Sequence, residues 1–529
     1  MRLSAATSWA CAGAMVLTGC ATGIGTGTGT GKVVDGGTFT FALESDPGNL
    51  DPQASALATA IQIGQFAYDH LLNSDADGKL VSGLATTWKT TDKKVVLSLH
   101  EGVTCSDGSA FTAADAAANI NYVADPENKS PLLGVFLPVG AHATADTSAG
   151  TVTMTLAGPA PFVLYGLAGL PMVCAKGMRD RSSLAHETLG TGPYRLTKSV
   201  AGNEYTFRKR SGYTWGPDGI GTATKGLPDI VLVRIVPNQT TAANLLLSGA
   251  LNAATVTGAD TSRLEGAHLF AAKSPTVTGE MWFNQAKGRP TADTSVRRAL
   301  TQALDLAQLR KVLTMARGTA PTTFTAAEPL VCPGDSITEA LPAHDPNAAE
   351  RLLDAAGWKA GADGVREKNG RELALTFAFD TSLLGTGGTA AAELATQIWQ
   401  KLGVKVTSRP QDLTRIGQTL FSTGDWDIVW ESLVPGSPDQ MVPFLSGPVP
   451  PTGTNFAHID NTDYSTGVAQ AASVTGTKGC PEWLAAESTL VKNADVIPFA
   501  NQAIQTFGSG ARFEYAGSLV PTSIRMLAR

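Results

Sequence analysis

The chain lacks long hydrophobic runs, clustered histidines and the motifs of common secreted hydrolases. After Leu17 no apolar stretch approaches the ~20 residues that a membrane-spanning helix needs. The motifs G-x-S-x-G and S-x-x-K are absent, and His186-Glu187 lacks the second histidine of H-E-x-x-H. The seven histidines are scattered, with no pair at helical or zinc-ligand spacing. We therefore expect no enzyme activity, no cofactor and no bound metal.

Charge is also sparse. Charged residues make up 16% of the chain and its net charge is −6, so nothing in the composition favours nucleic acid or an anionic membrane as a partner. Hydrophobic residues make up 43%, which is typical of a folded soluble protein. A length of 529 residues is enough for two to four domains of ~150 residues each.

Residues 1–19 read as a short secretory signal. Arg2 gives a minimal basic start, an apolar run spans roughly Trp9 to Leu17, and small residues precede Cys20. The ending Leu-Thr-Gly-Cys resembles the bacterial lipobox, in which the cysteine is lipidated and becomes the first residue of the mature chain. An ordinary signal peptide with a chance cysteine is the alternative. We expect lipidation at Cys20 and a mature protein anchored to the cell membrane, facing the extracytoplasmic or periplasmic space.

A glycine- and threonine-rich tract follows the cysteine, from Ala21 to Gly31. Its glycines fall on odd positions, so the phosphate-binding pattern G-x-G-x-x-G does not occur in it. Lys32 is followed by valine, where a P-loop needs serine or threonine. We predict a flexible, lipid-anchored linker over residues 20–36.

Four further cysteines allow three pairings, between which sequence alone does not choose. Two lie in the first third of the chain and two in its last 200 residues, so we expect the pairs Cys105–Cys174 and Cys332–Cys480. Structural disulfides suit an exported protein. Metal ligation or nucleophilic chemistry would need close spacing or a histidine partner, and neither is evident.

Strand and helix patterns alternate along the chain from residue 37 onwards. Period-two alternation predicts strands around Phe39, Val95 and Val152, and a more continuous apolar run predicts another over 229–236. Helix starts, caps and apolar faces predict the following helices: from the capping box Thr112–Asp115 through Tyr122, from Asp345-Pro346 to Gly357, and from Thr389 to Leu402. The fold class is therefore α/β or mixed α+β, with more than one lobe.

Several short segments, read in order, carry a more specific signal. They are Leu50-Asp51-Pro52, Leu80 to Trp88, Leu99 to Asp115, Gly190 to Tyr194, Phe283-Asn284, Val296 to Leu300, Ala303 to Asp305, and Asp345 to Trp358. Each is weak alone. Together, over about residues 37–510, they resemble the extracellular solute-binding proteins of family 5, the peptide, dipeptide and nickel receptors of ABC importers.

The resemblance implies a two-lobed, periplasmic-binding-protein-like fold with an extra subdomain in lobe I. Lobe I would comprise 37–79, 191–270 and 501–529, with 80–190 as the inserted subdomain, and lobe II would be 271–500. Each expected disulfide then falls within one lobe and leaves closure free. The implied function is capture of short peptides by a substrate-binding lipoprotein, a monomer, that delivers them to the membrane permease.

In this family a tryptophan and an aspartate of lobe II contact the ligand, and the aspartate pairs with its α-ammonium. Trp430 occupies the tryptophan position, but Leu433 stands where the aspartate is expected. Either Glu431 or Asp439 supplies the charge from a shifted position, or the ligand has no free amino terminus there. The competing interpretations are a core role for Trp430, a solvated loop carboxylate at Glu431 and a helix cap at Asp439.

Further candidate ligand contacts lie on the loop after the first predicted strand, where the chain has crossed from lobe I to lobe II, beside Trp430, and where the chain returns to lobe I. They are, in that order, Gly48 and Asn49; Trp282, Phe283 and Asn284; Ser432; and Asn501 and Gln502. Turn and core roles compete at each.

Two rival functions stay open, and Leu433 favours the first of them. That one is the same fold binding haem, a nickel chelate, a siderophore or an oligosaccharide. The other is a non-transport scaffold that regulates cell-envelope assembly through protein contacts.

Overall fold

A computed structural model describes residues 31–55, 57–75, 78–326, 330–433 and 435–528. The expected signal peptide, Cys20 and most of the expected linker lie outside the described residues. Within the described ranges, no helix is long and apolar enough to cross a membrane.

The chain forms alternating strands and helices. The strands are β1 Thr38–Leu43, β2 Leu72–Ser74, β3 Leu80–Ser82, β4 Ala85–Thr91, β5 Lys94–Leu99, β6 His142–Asp146, β7 Thr151–Thr155, β8 Tyr194–Val200, β9 Glu204–Lys209, β10 Ile230–Ile235, β11 Ala253–Val256, β12 Phe270–Phe283, β13 Lys359–Ala360, β14 Arg366–Lys368, β15 Arg371–Glu372, β16 Ala374–Asp380, β17 Lys405–Gln411, β18 Ile428–Trp430, β19 Val496–Gly508, β20 Ala511–Arg512 and β21 Arg525–Met526. The helices are α1 Ala58–Gly64, α2 Ala113–Ala124, α3 Val163–Gly169, α4 Ala175–Arg179, α5 Gln239–Leu247, α6 Ala259–Gly266, α7 Thr294–Gln302, α8 Leu306–Leu313, α9 Pro346–Ala355, α10 Thr381–Lys401, α11 Leu413–Gln418, α12 Val442–Leu445, α13 Thr462–Ala472 and α14 Cys480–Lys492.

Ten strands form one sheet in the order β17-β16-β18-β12-β19-β11-β1-β10-β9-β8. One end of the sheet is built from the first half of the chain and the other from residues 374–430. Between them lie β12 and β19, of 14 and 13 residues, paired antiparallel from Phe270 opposite Gly508 to Trp282 opposite Val496. These two long strands carry the chain between the two ends of the sheet.

We use lobe I and lobe II for the two sets of residues that the sequence predicts, and the boundaries themselves stay a prediction. The hydrophobic core of lobe II lies at the end of the sheet that contains β16 and β18. There Trp399 of α10 packs on Phe377. Residues 80–190 carry a separate four-stranded sheet, β4-β5-β7-β6, with its own core.

Both expected disulfides are confirmed: Cys105 is bonded to Cys174, and Cys332 to Cys480. The first joins two segments of the 80–190 region. The second ties the segment after α8 to the start of α14. Each disulfide thus stays within one of the predicted lobes.

The predicted strands and helix starts that depend on neighbouring residues match the structure. The expected strands correspond to β1, β5, β7 and β10, and both hydrogen bonds of the Thr112–Asp115 capping box open α2. Asp345 caps α9 by accepting a hydrogen bond from Ala348 N, and Gly357 ends that region with φ of 87°.

The helix expected from Thr389 begins eight residues earlier, at Thr381. Glycines in its first turns hid this start, because glycine is a poor helix former. Packing requires one of them, since a Cβ at Gly387 would lie 2.1 Å from the carbonyl oxygen of Leu313 at the end of α8. The helix forms there because it can press against α8.

The described end of the expected linker also differs from the prediction. Val33 forms a β-bridge with Leu527, and Val34 N donates to Met526 O at 2.9 Å. The folded region therefore includes Val33 and Val34, which pair with the C-terminal segment Met526–Leu527.

Candidate functional site

The segment that follows β18 is tied to the long strand β12. Glu431 N donates to Glu280 O at 3.3 Å, and Leu433 N donates to Glu280 Oε2 at 3.3 Å. Trp282 Nε1 donates to Glu431 O at 2.9 Å. These bonds hold residues 431–433 against β12, close to the point where it crosses towards lobe I.

Trp430 ends β18 and is 1% exposed. Its ring centroid lies 5.0 Å from those of Phe377 and Phe499. The indole is therefore part of the lobe II core, as the competing interpretation expected. Its Nε1 is buried and has no hydrogen-bond partner among the described residues, so a ligand contact through that atom stays a prediction.

Glu431 is not a solvated loop carboxylate. Burial, followed by the negative charge of Asp380, raises its pKa to about 8. Its Oε2 is buried and makes no hydrogen bond within the part of the chain that the structure describes. A carboxylate in this position binds a cation or stays protonated.

Asp439 lies inside a short 3₁₀ helix, Pro438–Met441, whose N-cap is Ser437. It accepts a hydrogen bond from Ser437 Oγ rather than capping the helix itself. Burial raises the pKa of Asp439 to about 6, because desolvation outweighs the hydrogen bond from Ser437. It is thus a second partly buried carboxylate near the same segment.

Glu280 was missed by the sequence reasoning. It lies within β12, is 0% exposed, and burial raises its pKa to about 8. Its Oε2 accepts hydrogen bonds from Trp282 Nε1 and Leu433 N, whereas Oε1 has no partner in the described ranges. The signal that could have found it is a lone glutamate in the second half of β12, where residues 277–283 carry no other charge.

The three predicted residues after the crossover are engaged within lobe II. Trp282 donates its indole hydrogen to Glu280 and Glu431, and Phe283 is fully buried opposite Ile428. Asn284 donates to the carbonyl oxygens of Gly424 and Trp426 and accepts from Ala286 N. These contacts give all three a structural role, and a ligand role stays a prediction.

Asn501 and Gln502 lie on β19 in the crossover. Asn501 exchanges backbone hydrogen bonds with Thr319, and its Oδ1 is buried without a partner among the described residues. Gln502 lies opposite Thr276. Ser432 Oγ is buried and equally unpartnered. Asn501 and Ser432 therefore present polar atoms that no described residue satisfies.

Gly48 and Asn49 form a tight turn on lobe I. Gly48 N donates to Asp46 Oδ1 at 2.7 Å, and Asn49 Oδ1 accepts from Asp51 N at 2.9 Å. The side chain of Asn49 thus stabilises its own loop. Contact with a ligand stays a prediction for both residues.

The two predicted lobes also touch through side chains that lie outside the crossover strands β12 and β19. Phe162, just before α3, has its ring centroid 5.9 Å from that of Trp483 on α14, and both side chains are 1% exposed. They share a hydrophobic cluster with Cys332 and Cys480. Thr475 Oγ1 donates to Asp92 Oδ1 at 2.9 Å across the same boundary. The 80–190 region is therefore in direct contact with residues of the predicted lobe II.

Comparison with known proteins agrees with this architecture. The family profile described as bacterial extracellular solute-binding proteins, family 5 Middle, matches residues 79–452. Protein XP55 of Streptomyces lividans is 28% identical in a match that covers 65% of this chain and 62% of that protein. The glutathione-binding protein GsiB of Pectobacterium atrosepticum is 26% identical, with 83% and 82% covered.

Among solved structures, the oligopeptide-binding protein AppA of Bacillus subtilis, in complex with a nonapeptide, superposes with a TM-score of 0.75. The match covers 94% of this chain and 100% of that one at 16% identity. At this identity the likeness shows the fold, which is the two-lobed binding-protein architecture.

Proposed function

Because this chain belongs to the bacterial extracellular solute-binding proteins of family 5, which serve ABC importers, we propose that it is a lipid-anchored receptor for short peptides. It captures them between its two lobes and delivers them to a membrane permease. The peptide assignment is supported by the two similar proteins whose names state glutathione and oligopeptide binding.

The observation that carries capture at this site is a set of unsatisfied polar atoms beside the crossover. Trp430 Nε1, Glu431 Oε2, Ser432 Oγ and Asn501 Oδ1 are all buried without partners among the described residues. Leaving one such group unpaired costs about 1–3 kcal/mol. A peptide offers amide donors and acceptors at close intervals, so it can satisfy several of them at once.

Capture works by closure. The long strands β12 and β19 join the lobes, and Phe162 and Trp483 form a further contact between them. A ligand enters when this contact is open and is enclosed when it forms. Closed lobes present both outer faces together, which distinguishes the loaded receptor for the permease.

The ligand is tested by mass spectrometry of whatever co-purifies with the untreated full chain, followed by calorimetry with synthetic peptides. We expect a peptide of a few residues. A co-purified haem, metal chelate or sugar, together with no thermal stabilisation by any peptide, would contradict the proposal.

The position of the site is tested with Asn501→Ala. We expect affinity for the bound peptide to fall at least about fivefold, since a buried hydrogen bond is lost. Asn203→Ala, on an exposed hairpin of lobe I, is the matched control and should leave affinity unchanged. Equal affinities for all three proteins would place the ligand elsewhere.

Anchoring is tested with Cys20→Ser in the full chain. We expect the protein to move from the membrane fraction to the soluble exported fraction. Retention in the membrane fraction would contradict lipidation at Cys20.

A further inference from the structure

One ion pair joins the two predicted lobes beside the crossover. Arg317, which follows α8 in lobe II, places its Nη1 3.2 Å from both carboxylate oxygens of Glu265 on α6 in lobe I. Its Nη2 donates to Ser262 Oγ, about one turn earlier on the same helix. The guanidinium of Arg317 is therefore bound to two side chains of the other lobe.

The remaining ion pairs between described residues lie within one predicted lobe, if the inserted subdomain is counted with lobe I. Lys405 and Glu372, for example, are 2.8 Å apart within lobe II. A pair within one lobe is unchanged when the lobes move as rigid bodies. The Arg317–Glu265 pair, in contrast, breaks when α6 separates from the end of α8.

Glu265 is also held by the crossover strand. Gln505, on β19, donates its Nε2 hydrogen to Glu265 Oε1 at 2.8 Å. This hydrogen bond and the charge of Arg317 lower the pKa of Glu265, although burial opposes them. The carboxylate is therefore ionised at neutral pH, and the contact between the lobes joins two full charges.

The chain reaches Arg317 through a strained turn. Met315 and Ala316 have φ of 50° and 61°, in the left-handed region that residues with a Cβ disfavour. Met315 is 44% exposed, so packing of its side chain does not explain this conformation. Hydrogen bonds from Ala316 N to Lys311 O and from Arg317 N to Thr314 O hold the turn. Strain of this kind persists where the surrounding contacts determine it, and it often marks a functional segment.

The residues after Arg317 pack on the crossover strand at Asn501, a candidate ligand contact. Thr319 N donates to Asn501 O at 2.9 Å, and Asn501 N donates to Thr319 O at 3.0 Å. A Cβ at Gly318 would lie 2.7 Å from Asn501 O, so this close approach requires glycine. The position of Arg317 is thus fixed relative to β19.

We propose that Arg317 is a latch between the lobes: its contacts with Glu265 and Ser262 stabilise the lobe arrangement of this structure, in which Phe162 also touches Trp483. The effect on affinity rests on the proposed capture of a peptide between the lobes. Arg317 is not among the candidate ligand contacts. It changes affinity by changing the population of the capturing arrangement rather than by touching the peptide.

The first test needs no ligand. Arg317→Glu replaces the attraction to Glu265 by repulsion, and all proteins compared carry Cys20→Ser, so that no lipid is attached at that position. Small-angle X-ray scattering of the ligand-free full chain should give a larger radius of gyration for Arg317→Glu than for its parent. Lys405→Glu is the matched control, because it reverses a charge in an exposed ion pair within lobe II, and it should leave the scattering unchanged.

The second test measures peptide affinity by titration calorimetry. We expect Arg317→Glu to bind about threefold to tenfold more weakly, mainly through faster dissociation, whereas Lys405→Glu stays within about twofold of the parent. The difference should fall below about twofold when salt is raised from about 0.1 M to about 1 M, because the Debye length shortens from ~10 Å to ~3 Å. A loss of packing alone would not respond to salt in this way.

Reversing both charges, with Arg317→Glu and Glu265→Arg together, should restore the radius of gyration and bring the affinity within about twofold of the parent. Ser262 and Gln505 can each donate and accept, so the reversed pair keeps its hydrogen-bond partners. Thermal melts check that each variant is folded. Glu265→Gln removes the charge more gently, and it should change both quantities in the same direction as Arg317→Glu.

The outcomes separate the latch from the proposed function. An unchanged radius of gyration in Arg317→Glu and in Glu265→Gln would overturn the latch, whether or not a peptide binds. A double reversal no better than Arg317→Glu alone would overturn the role of the ion pair. If no peptide binds any of these proteins but the scattering changes as expected, peptide capture fails and the latch stands.

Discussion

Replacing Phe162 with alanine tests whether the contact between the lobes at Phe162 and Trp483 contributes to ligand retention. The ring is 1% exposed and packs on Trp483 in the other lobe, beside the Cys332–Cys480 disulfide. It also contacts Tyr165, within lobe I, at 6.5 Å between centroids. Only the contact with lobe II is lost when the lobes separate.

The expected loss of affinity follows from how the ring's contacts divide between the two lobes. Complete burial of a phenylalanine stabilises by about 1.5–3 kcal/mol, and about half of this belongs to the contact between lobes, or about 1–1.5 kcal/mol. Because the ligand is held in the closed form, destabilising that form weakens apparent affinity by the same free energy, about five- to tenfold. The change should appear mainly as faster dissociation.

Titration calorimetry measures the affinity, and stopped-flow kinetics the dissociation rate, of the synthetic peptide that binds most tightly. Phe421→Ala is the control, because this partly exposed phenylalanine stacks on Phe456 within lobe II. Its affinity should stay within about twofold of wild type, since no contact between lobes changes. If Phe162→Ala bound and released peptide at wild-type rates, the Phe162–Trp483 contact would not belong to the ligand-bound state.

Three further outcomes are expected. Trp430→Ala should lower the free energy of unfolding by about 3–5 kcal/mol in denaturant titrations, because it empties a core position; unchanged stability would contradict the core placement. Replacing Cys332 and Cys480 together by serine should cost about 2–5 kcal/mol and lower the melting temperature, and an unchanged melting temperature would exclude a stabilising disulfide. Burial raises the pKa of Glu280 and of Glu431 to about 8, above the ordinary value of 4.5. The folded chain then holds more protons than the unfolded chain, so ligand-free stability should be greatest below pH 4.5 as far as these groups decide it, and should fall as pH rises towards 8. The double change of these two residues to glutamine should flatten that decline in melts between pH 5 and 8, and an identical decline would refute the assignment.

Elements with strong local signals were predictable from the sequence. The capping box at Thr112 and the Asp345-Pro346 start depend on hydrogen bonds between residues three apart, which the order of residues already contains. Strands such as β1 follow from period-two alternation. The start of α10 was not predictable, because its glycines oppose a helix locally and the approach to α8 that explains Gly387 is a tertiary contact.

The candidate site, too, was predictable from the sequence only in part. The order of motifs along the chain identified the family, and the position of Trp430 at the end of a strand was read correctly. The sequence also showed that Leu433 leaves a charge unaccounted for. It could not show that Glu280 lies opposite Glu431, since the two are 151 positions apart and meet only through the pairing of β12 with β18.

The sequence by itself determined the local elements and the family, because these depend on neighbouring residues and on motif order. The choice among the three cysteine pairings needed the fold. The tertiary structure alone decided which polar groups are buried and unsatisfied. Burial of a carboxyl group depends on every segment that covers it, and for Glu280 those segments come from distant parts of the chain.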